Sequence, residues 1–380
     1  MSGRAASIGV GMLGYGFMGK AHANAYRTLS YMTWPPPLCP ELIAIAGRDG
    51  DAATETARRY GFEHATTDWR ELVDDPDVGL FDNSGPNGLH AEPTIAAAAA
   101  GKHVVCEKPL GRDADESYEI WQSVASTGVK HMCAFNYRFV PAITLARQMI
   151  EAGELGEVRH FRARYLQAWG RDSRLMTWRF DRAQAGSGAV GDLGAHIIDL
   201  ARHLVGEIAA VGAITRTFLR ARAGQTIDVD DAFGATVEFE SGGIGTLEAS
   251  RLCPGRLNHL ALEVNGSRGS VAFDLERLNE LQVHVPGSRH LGFQTVIVTE
   301  PEHPYMQYWW PPGHTIGWEH TFVHELHHLL GAIRHGGDVG PNGADFEDGY
   351  RAAEVCDAIA RASVGGAREQ LTYRRTAGHV

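Results

Sequence analysis

The sequence predicts an α/β protein of two domains: a parallel sheet wound with helices, then a second domain around a mostly antiparallel sheet. Three observations carry that expectation. Over the first 135 residues, apolar β-branched runs alternate with helical stretches, the pattern of successive βαβ units. A glycine-rich turn joins the first of those runs to the first helix. Beyond residue 136 strand-like runs follow one another through hairpin-type turns such as "ESGG" and "NGSRGS".

In order, the strand-like runs of the first domain are "SIGVGML", "ELIAIAG", "VGLFDNSG", "HVVCEKP" and "VKHMCAF". Between or after them lie helical stretches: "GKAHANAYRTL", "DAATETARRYG", "DWRELVDD", "AEPTIAAAAAGK" and "ADESYEIWQSVASTG". The Pro-rich "WPPPLCPE" reads as a loop. The second domain opens with a helix, "PAITLARQMIEAG", runs into the strand "EVRHFRARYLQAW", and has a glycine-rich helix start near 186–205. Then come "DDAFGATVEFESGGIGTLEASR", "HLALEVNGSRGSVAFDL", "LQVHV" and "FQTVIVT", closed by helices at 317–335 and 344–363.

A chain of 380 residues suits two domains, and 44% hydrophobic residues supply their cores. The net charge of −11 opposes binding to nucleic acid or to anionic membranes. No apolar run approaches the roughly 20 residues that span a bilayer, and the N-terminus shows no signal-peptide pattern. Five scattered cysteines without a C-x-x-C pair suit reduced thiols, so a cytoplasmic location is expected.

G-x-G-x-x-G occurs three times: at Gly9–Gly11–Gly14, at Gly14–Gly16–Gly19 and at Gly186–Gly188–Gly191. Only the second follows a strand and opens a helix. There glycines let backbone amides approach a pyrophosphate at the helix N-terminus, where the dipole favours anions. At the end of the second strand Arg48 suits the 2′-phosphate of NADP and Asp49 the ribose hydroxyl of NAD. Both cofactors remain open from these residues.

"HVVCEKP" ends a strand of the parallel sheet with Glu107, Lys108 and Pro109. Ligands sit at strand C-termini in such sheets, so Lys108 is expected at the cofactor cleft. In "GSGAVGDLGAHIIDLARHL", Asp192, His196, Asp199 and His203 fall on one helical face beside the stripe of Leu193, Ile197, Leu200 and Leu204. A carboxylate and an imidazole therefore share a face next to buried surface. A helix-capping aspartate with an unrelated histidine is the competing structural reading.

Together, Gly14-x-Gly16-x-x-Gly19, "GKHVVCEKP" and "GSGAVGDLGAHIID" resemble the Gfo/Idh/MocA oxidoreductases, from residue 7 to beyond 200. The resemblance implies a doubly wound Rossmann domain at 1–135. It further implies an α/β substrate and oligomerisation domain at 136–380 with a large, mostly antiparallel open sheet, the active site lying at the junction. It assigns catalysis to Lys108, Asp192 and His196. It assigns cofactor contacts to Gly14, Gly16, Phe17, Met18, Gly19 and Arg48, to Pro86, Asn87 and His90 of "SGPNGLH", and to Glu107 and Lys108. Gly85 stands where the family carries a threonine.

Oxidising a secondary alcohol requires a base for the hydroxyl proton as hydride leaves. His196, of ordinarily near-neutral pKa, suits that role. Asp192 would orient it or hold the hydroxyl, and Lys108 would stabilise a developing alkoxide. "MGKAHANAY", "WPPP", "TTDWRELVDDPDV", "FNYRFVPAI" and "YLQAW" are similar to family members that oxidise C3 of glucosides or levoglucosan. That similarity points to a sugar or glycoside substrate and to Tyr137, Arg138, Gln167 and Trp178 as pocket residues. Inositol dehydrogenation and keto-sugar reduction are the alternatives within the family, which also implies a homo-oligomer, dimer or tetramer.

One motif stands apart. His324, Glu325 and His328 spell H-E-x-x-H, a pattern that on a helix can bind zinc. The helical wheel sets Phe322, Leu326, Leu329, Leu330 and Ile333 on one stripe and His324, His328 and His335 on the opposite face. The expectation is therefore a solvated polar face and no metal, with a zinc hydrolase as the remote alternative.

Overall fold

The structure, a computed structural model, describes residues 6–287, 289 and 291–375. Its first sheet holds β1 (Ser7–Leu13), β2 (Cys39–Ala46), β3 (His64–Thr66), β4 (Leu80–Asn83), β5 (His103–Glu107) and β6 (His131–Ala134). Helices α1 (Phe17–Met32), α2 (Gly50–Tyr60), α3 (Trp69–Asp74), α4 (Ala91–Ala99) and α5 (Ala114–Ala125) make the crossovers. All pairings are parallel, in the order β3-β2-β1-β4-β5-β6. The direction of winding reverses between β1 and β4, and the crevice beyond their carboxyl ends is where such sheets bind ligands. β4 is buried along its whole length, as expected of a strand covered on both faces.

Gly9 and Gly11 lie inside β1, not in a turn. A Cβ on Gly9 would meet the Asp77 carbonyl oxygen at 1.8 Å, so the first glycine pattern serves close packing.

The second sheet is built from β7 (Val158–Leu166), β8 (Ile208–Arg216), β11 (Ala232–Phe239), β12 (Ile244–Ser250), β13 (His259–Gly266), β14 (Ser270–Asp274), β15 (Glu280–His284), β16 (Gln294–Ile297) and β17 (Glu369–Gln370). A small hairpin, β9 (Ala221–Arg222) with β10 (Gln225–Thr226), stands apart. The order is β16-β15-β14-β13-β7-β12-β11-β8-β17, and only β7 with β12 is a parallel pair. Along β7, Phe161, Ala163 and Tyr165 are buried while Arg162 and Arg164 are exposed. Period-two burial of this kind means one covered and one open face. Among the helices of this half, α6 (Pro141–Glu151), α8 (Ala195–Val205) and α10 (Phe346–Gly365) contact the sheet, while the short α7 (Arg182–Ala185) touches the loop at Asn87–Leu89.

Helix α9 (His320–His335) departs from expectation. It packs on α1, and its Phe322, Val323, Leu326, Leu329 and Leu330 share a core with Val10, Met12, Ala25 and Leu29. The chain thus returns to the first domain after β16, and only later adds β17 to the edge of the second sheet. A bridge between Cys133 and Ala344 marks the same return.

Candidate active site

The turn after β1 has the geometry of a dinucleotide cradle. Gly14 has φ 98°, and a Cβ on Gly19 would lie 2.2 Å from the Gly14 carbonyl oxygen. Gly16 has nothing within 4 Å of its Cβ position, and as N-cap of α1 it supplies no side chain to the first-turn amides. Those amides, on Phe17, Met18 and Gly19, fit a pyrophosphate. At Gly186–Gly191 the equivalent space is filled by protein. Asp230 accepts from the amides of Gly188 and Val190, both at 2.8 Å, and Ser187 from that of Gly191 at 3.0 Å.

Around the cradle, Phe17 is exposed and stacks on Trp318 with centroids 5.3 Å apart, while Met18 is half-buried. Arg48 is exposed. Asp49 caps α2, its carboxylate accepting from the Ala52 amide at 3.0 Å.

Three expected cofactor ligands turn out to be braces. His90 is fully buried, with Nδ1 2.9 Å from the Pro109 carbonyl and Nε2 3.1 Å from that of Gly85. It ties the Pro86-containing loop to the turn after Lys108 and has no nitrogen left for a ligand. Asn87 is buried and donates to the Ala185 carbonyl at 3.0 Å, joining the loop to the second domain. Glu107 is buried, with one oxygen near His22 and the other accepting from the Lys108 amide at 3.1 Å.

Lys108, Asp192 and His196 do converge. A π-helical turn at Val190–Gly194 leads into α8 and carries Asp192 toward the end of β5. Lys108 Nζ donates to the Asp192 carbonyl at 2.9 Å and lies 3.7 Å from its carboxylate. Arg251 donates to the same carboxylate at 3.0 Å, and Arg179 Nε stands 3.7 Å away. Burial alone would raise the Asp192 pKa, but the charges of Arg251, Lys108 and Arg179 hold it far below the usual range. His196 is 7% exposed, its ring 4.7 Å from that of Tyr137 and 5.7 Å from that of Tyr165. Its Nδ1 is buried without a hydrogen-bond partner. Burial, then the Lys108 charge, push its pKa well below 6.5, with Asp192 opposing. An ordinary near-neutral pKa was expected; the imidazole is instead held firmly neutral.

Beside His196 runs a hydrogen-bonded wall. The Tyr137 and Tyr165 hydroxyls are 2.9 Å apart, and Tyr165 donates to Asn258 Oδ1 at 2.7 Å. Gln167 Nε2 reaches the same oxygen at 2.7 Å, and Trp169 Nε1 donates to Gln167 Oε1 at 2.7 Å. Trp178 is half-buried under the Arg179 guanidinium, 4.4 Å from its ring. Arg138 does not belong to this pocket. It is 3% exposed and spends its guanidinium on Asp199 (2.6 Å), Asp348 (3.0 Å) and the Gly343 carbonyl (3.2 Å). Asp199 therefore leaves the Asp192–His196 face for a structural ion pair, and His203 pairs with Arg147 at 2.8 Å.

Arg251, Arg179, Tyr165, Asn258 and Trp169 were not anticipated. For Arg251 a signal existed: like Lys108, it is a cation directly after a strand-like run, "GIGTLEASR".

The H-E-x-x-H helix corrects the helical wheel. His324 is 1% exposed and Glu325 fully buried. His324 Nε2 accepts from Trp309 Nε1 at 2.7 Å, so Nδ1 carries the proton toward the Phe139 carbonyl at 2.9 Å. His328 Nε2 lies 2.7 Å from the Val339 carbonyl. The two histidines thus face separate protein partners. Among the described residues the one grouping with metal-ligand spacing is His259, Asp274 and Glu276, and there Arg164 donates to His259 and Arg256 to Glu276.

A doubly wound sheet with an open glycine cradle, and a lysine, carboxylate and neutral imidazole at its mouth, define a dinucleotide-dependent oxidoreductase. Residues 8–135 match an oxidoreductase family with an NAD-binding Rossmann fold, and residues 143–272 the GFO/IDH/MocA C-terminal domain. The chain belongs to the Gfo/Idh/MocA family. It is 43% identical to levoglucosan dehydrogenase of Pseudarthrobacter phenanthrenivorans over 375 residues, covering 93% of this chain and 95% of that protein. With scyllo-inositol 2-dehydrogenase (NAD(+)) of Bacillus subtilis it shares 32% identity over 270 residues, 70% and 72% of the respective chains. A solved levoglucosan dehydrogenase with NADH and levoglucosan superposes with a TM-score of 0.94 at 42% identity, covering 97% of this chain and 100% of that one.

Proposed function

We propose that the protein oxidises a secondary hydroxyl, at C3, of a sugar or glycoside, passing hydride to the nicotinamide of NAD or NADP. The observation that carries the reading is the neutral His196, with an unspent nitrogen, beside the Lys108–Asp192 pair. The similarity to levoglucosan dehydrogenase supports the substrate class. The bound dinucleotide supplies the hydride acceptor at its nicotinamide ring.

His196 accepts the hydroxyl proton, and because its surroundings already keep it neutral it needs no prior deprotonation. Lys108 places a positive charge where negative charge grows on the substrate oxygen. Asp192, anchored by Arg251, holds the Lys108 ammonium and a neighbouring hydroxyl. Tyr137, Gln167 and Trp178 form the pocket wall, with Tyr165 and Asn258 fixing the first two. Water is kept out by the aromatic packing around His196. The same residues run ketone reduction in reverse.

We further propose a homo-oligomer, dimer or tetramer, formed through the open face of the second sheet; light scattering should give a multiple of the 41.3 kDa chain. The activity test is a screen of levoglucosan, glucosides and inositols with NAD and with NADP, following nicotinamide absorbance. Turnover of levoglucosan or a glucoside, with a 3-keto product, is expected. Turnover of inositols alone would overturn the sugar reading.

A further inference from the structure

Behind Lys108 lies a sealed group of ionisable residues that the proposed chemistry does not use. His22, on α1, is fully buried with Nδ1 2.9 Å from Asp82 Oδ2 and Nε2 3.1 Å from Glu107 Oε1. Tyr26 donates to Asp82 at 2.9 Å. The other oxygen of Glu107 accepts from the Lys108 amide, and Lys108 Nζ reaches Asp192. One continuous path therefore runs from the dinucleotide helix through His22 and Glu107 to the ammonium group. Glu325, from α9, is also fully buried, yet neither of its oxygens has a partner. The charges it faces are those of His22, Glu107, Asp82 and Asp199.

We propose that His22 is a positioning residue for Lys108, a buried imidazolium clamped between Asp82 and Glu107, while Glu325 beside it is a neutral carboxylic acid. The chemistry of the ring requires it. Each nitrogen faces a carboxylate, and a neutral imidazole has one N–H, which would set a lone pair against the second carboxylate. Glu325 faces three carboxylates, those of Glu107, Asp82 and Asp199, and no donor reaches its oxygens. The one cation it faces, His22, already has both nitrogens on Asp82 and Glu107, so ionising Glu325 would bury a further negative charge without a hydrogen-bond partner. Burial works against a charged His22, but Asp82 and Glu107 outweigh it and raise its pKa well above 6.5. Burial likewise raises Glu325, whereas the His22 hydrogen bond and charge hold Glu107 below its usual range against burial. Two glutamates in one pocket thus hold different charge states, one ionised and one neutral. A clamp of this kind is a supporting shell: it fixes the angle at which Lys108 leaves β5.

The inference rests on the reading of Lys108 as catalytic, so Lys108→Ala is the reference. In the full-length protein with dinucleotide and its best sugar substrate, His22→Gln and Glu107→Gln are expected to lower kcat about 10–100-fold. KM and dinucleotide Kd should stay within about twofold, since Lys108 acts on the transition state. Glu325→Gln, isosteric with the neutral acid, should keep kcat within about twofold. The infrared spectrum at neutral pH should carry a protonated-carboxyl band that Glu325→Gln removes. The ¹⁵N spectrum of histidine-labelled wild type should show a ring with both nitrogens protonated. If Glu325→Gln loses as much activity as Glu107→Gln, or the infrared band is absent, the charge assignment falls. If His22→Gln and Glu107→Gln turn over at the wild-type rate while Lys108→Ala does not, the positioning role falls alone. Wild-type turnover in Lys108→Ala would instead overturn the catalytic reading, and the spectra would still judge the clamp. Should His22→Gln fail to fold, Glu107→Gln and the wild-type spectra decide.

Discussion

Helices α8 and α9 each bury a histidine, and the two differ in their hydrogen bonds and in the charges around them, which separates the proposed base from a packing residue. His196 on α8 lies among Phe135, Tyr137 and Tyr165 with Nδ1 unpartnered. His324 on α9 lies against Tyr305 and Trp309, with Nε2 accepting from Trp309 and Nδ1 turned to Phe139. Burial lowers both, His324 to about 3. A shifted pKa therefore does not separate a base from a packing residue. The unspent nitrogen does, together with the charges around it: Lys108 and Asp192 beside His196, other histidines beside His324.

The comparison breaks most severely at His196. His196→Ala should lower kcat about 10²–10⁴-fold while dinucleotide binding and melting temperature stay near wild type; nicotinamide absorbance and a binding titration read the two. His324→Ala should do the reverse. It strands the Trp309 N–H and the Phe139 carbonyl, costing about 1–3 kcal/mol for a buried group left unpaired, read by denaturant unfolding. Turnover per folded molecule should persist, and a metal chelator should leave wild-type activity unchanged.

Acid should act on both histidines with one sign. In the unfolded chain each titrates near 6.5, whereas in the folded protein each stays neutral well below that. As pH falls through 6.5 the unfolded state takes up protons first, so stability is lost on the acid side. His131, lowered to about 4 by burial and by Lys130, adds to the effect. kcat/KM should hold below pH 6.5 and fall only where folded His196 protonates. A smaller effect is expected at Tyr165, whose hydroxyl links Tyr137 to Asn258. Tyr165→Phe should cost about 1 kcal/mol, seen as a several-fold loss in kcat/KM.

Much of this was legible in the residues themselves. That the first sheet is parallel follows from alternating strand and helix patterns, and Lys108, Asp192 and His196 lie in local motifs whose geometry is set by one strand end or one helix. Tyr165 and Asn258 were hidden because they reach the site from β7 and from just ahead of β13, strands brought together only by long-range pairing, while Arg251, directly after β12, left only its place behind a strand-like run as a signal. Arg138 misled because its partners, Asp199 and Asp348, are 61 and 210 residues away. Helix α9 misled for a different reason. A wheel assumes one buried face, but the chain before α9 folds Tyr305 and Trp309 over the face that would otherwise be wet. The glycine pattern at Gly186–Gly191 likewise looks like a cradle until Asp230 is seen to fill it.

Turnover of levoglucosan deuterated at C3 reads directly on the proposed transfer of hydride from C3 as His196 takes the hydroxyl proton. A primary isotope effect is expected, with deuterium recovered on the reduced dinucleotide and that transfer lost in His196→Ala. Recovery of deuterium at C3 of the product, with reduction proceeding from another carbon or undiminished in His196→Ala, would contradict it.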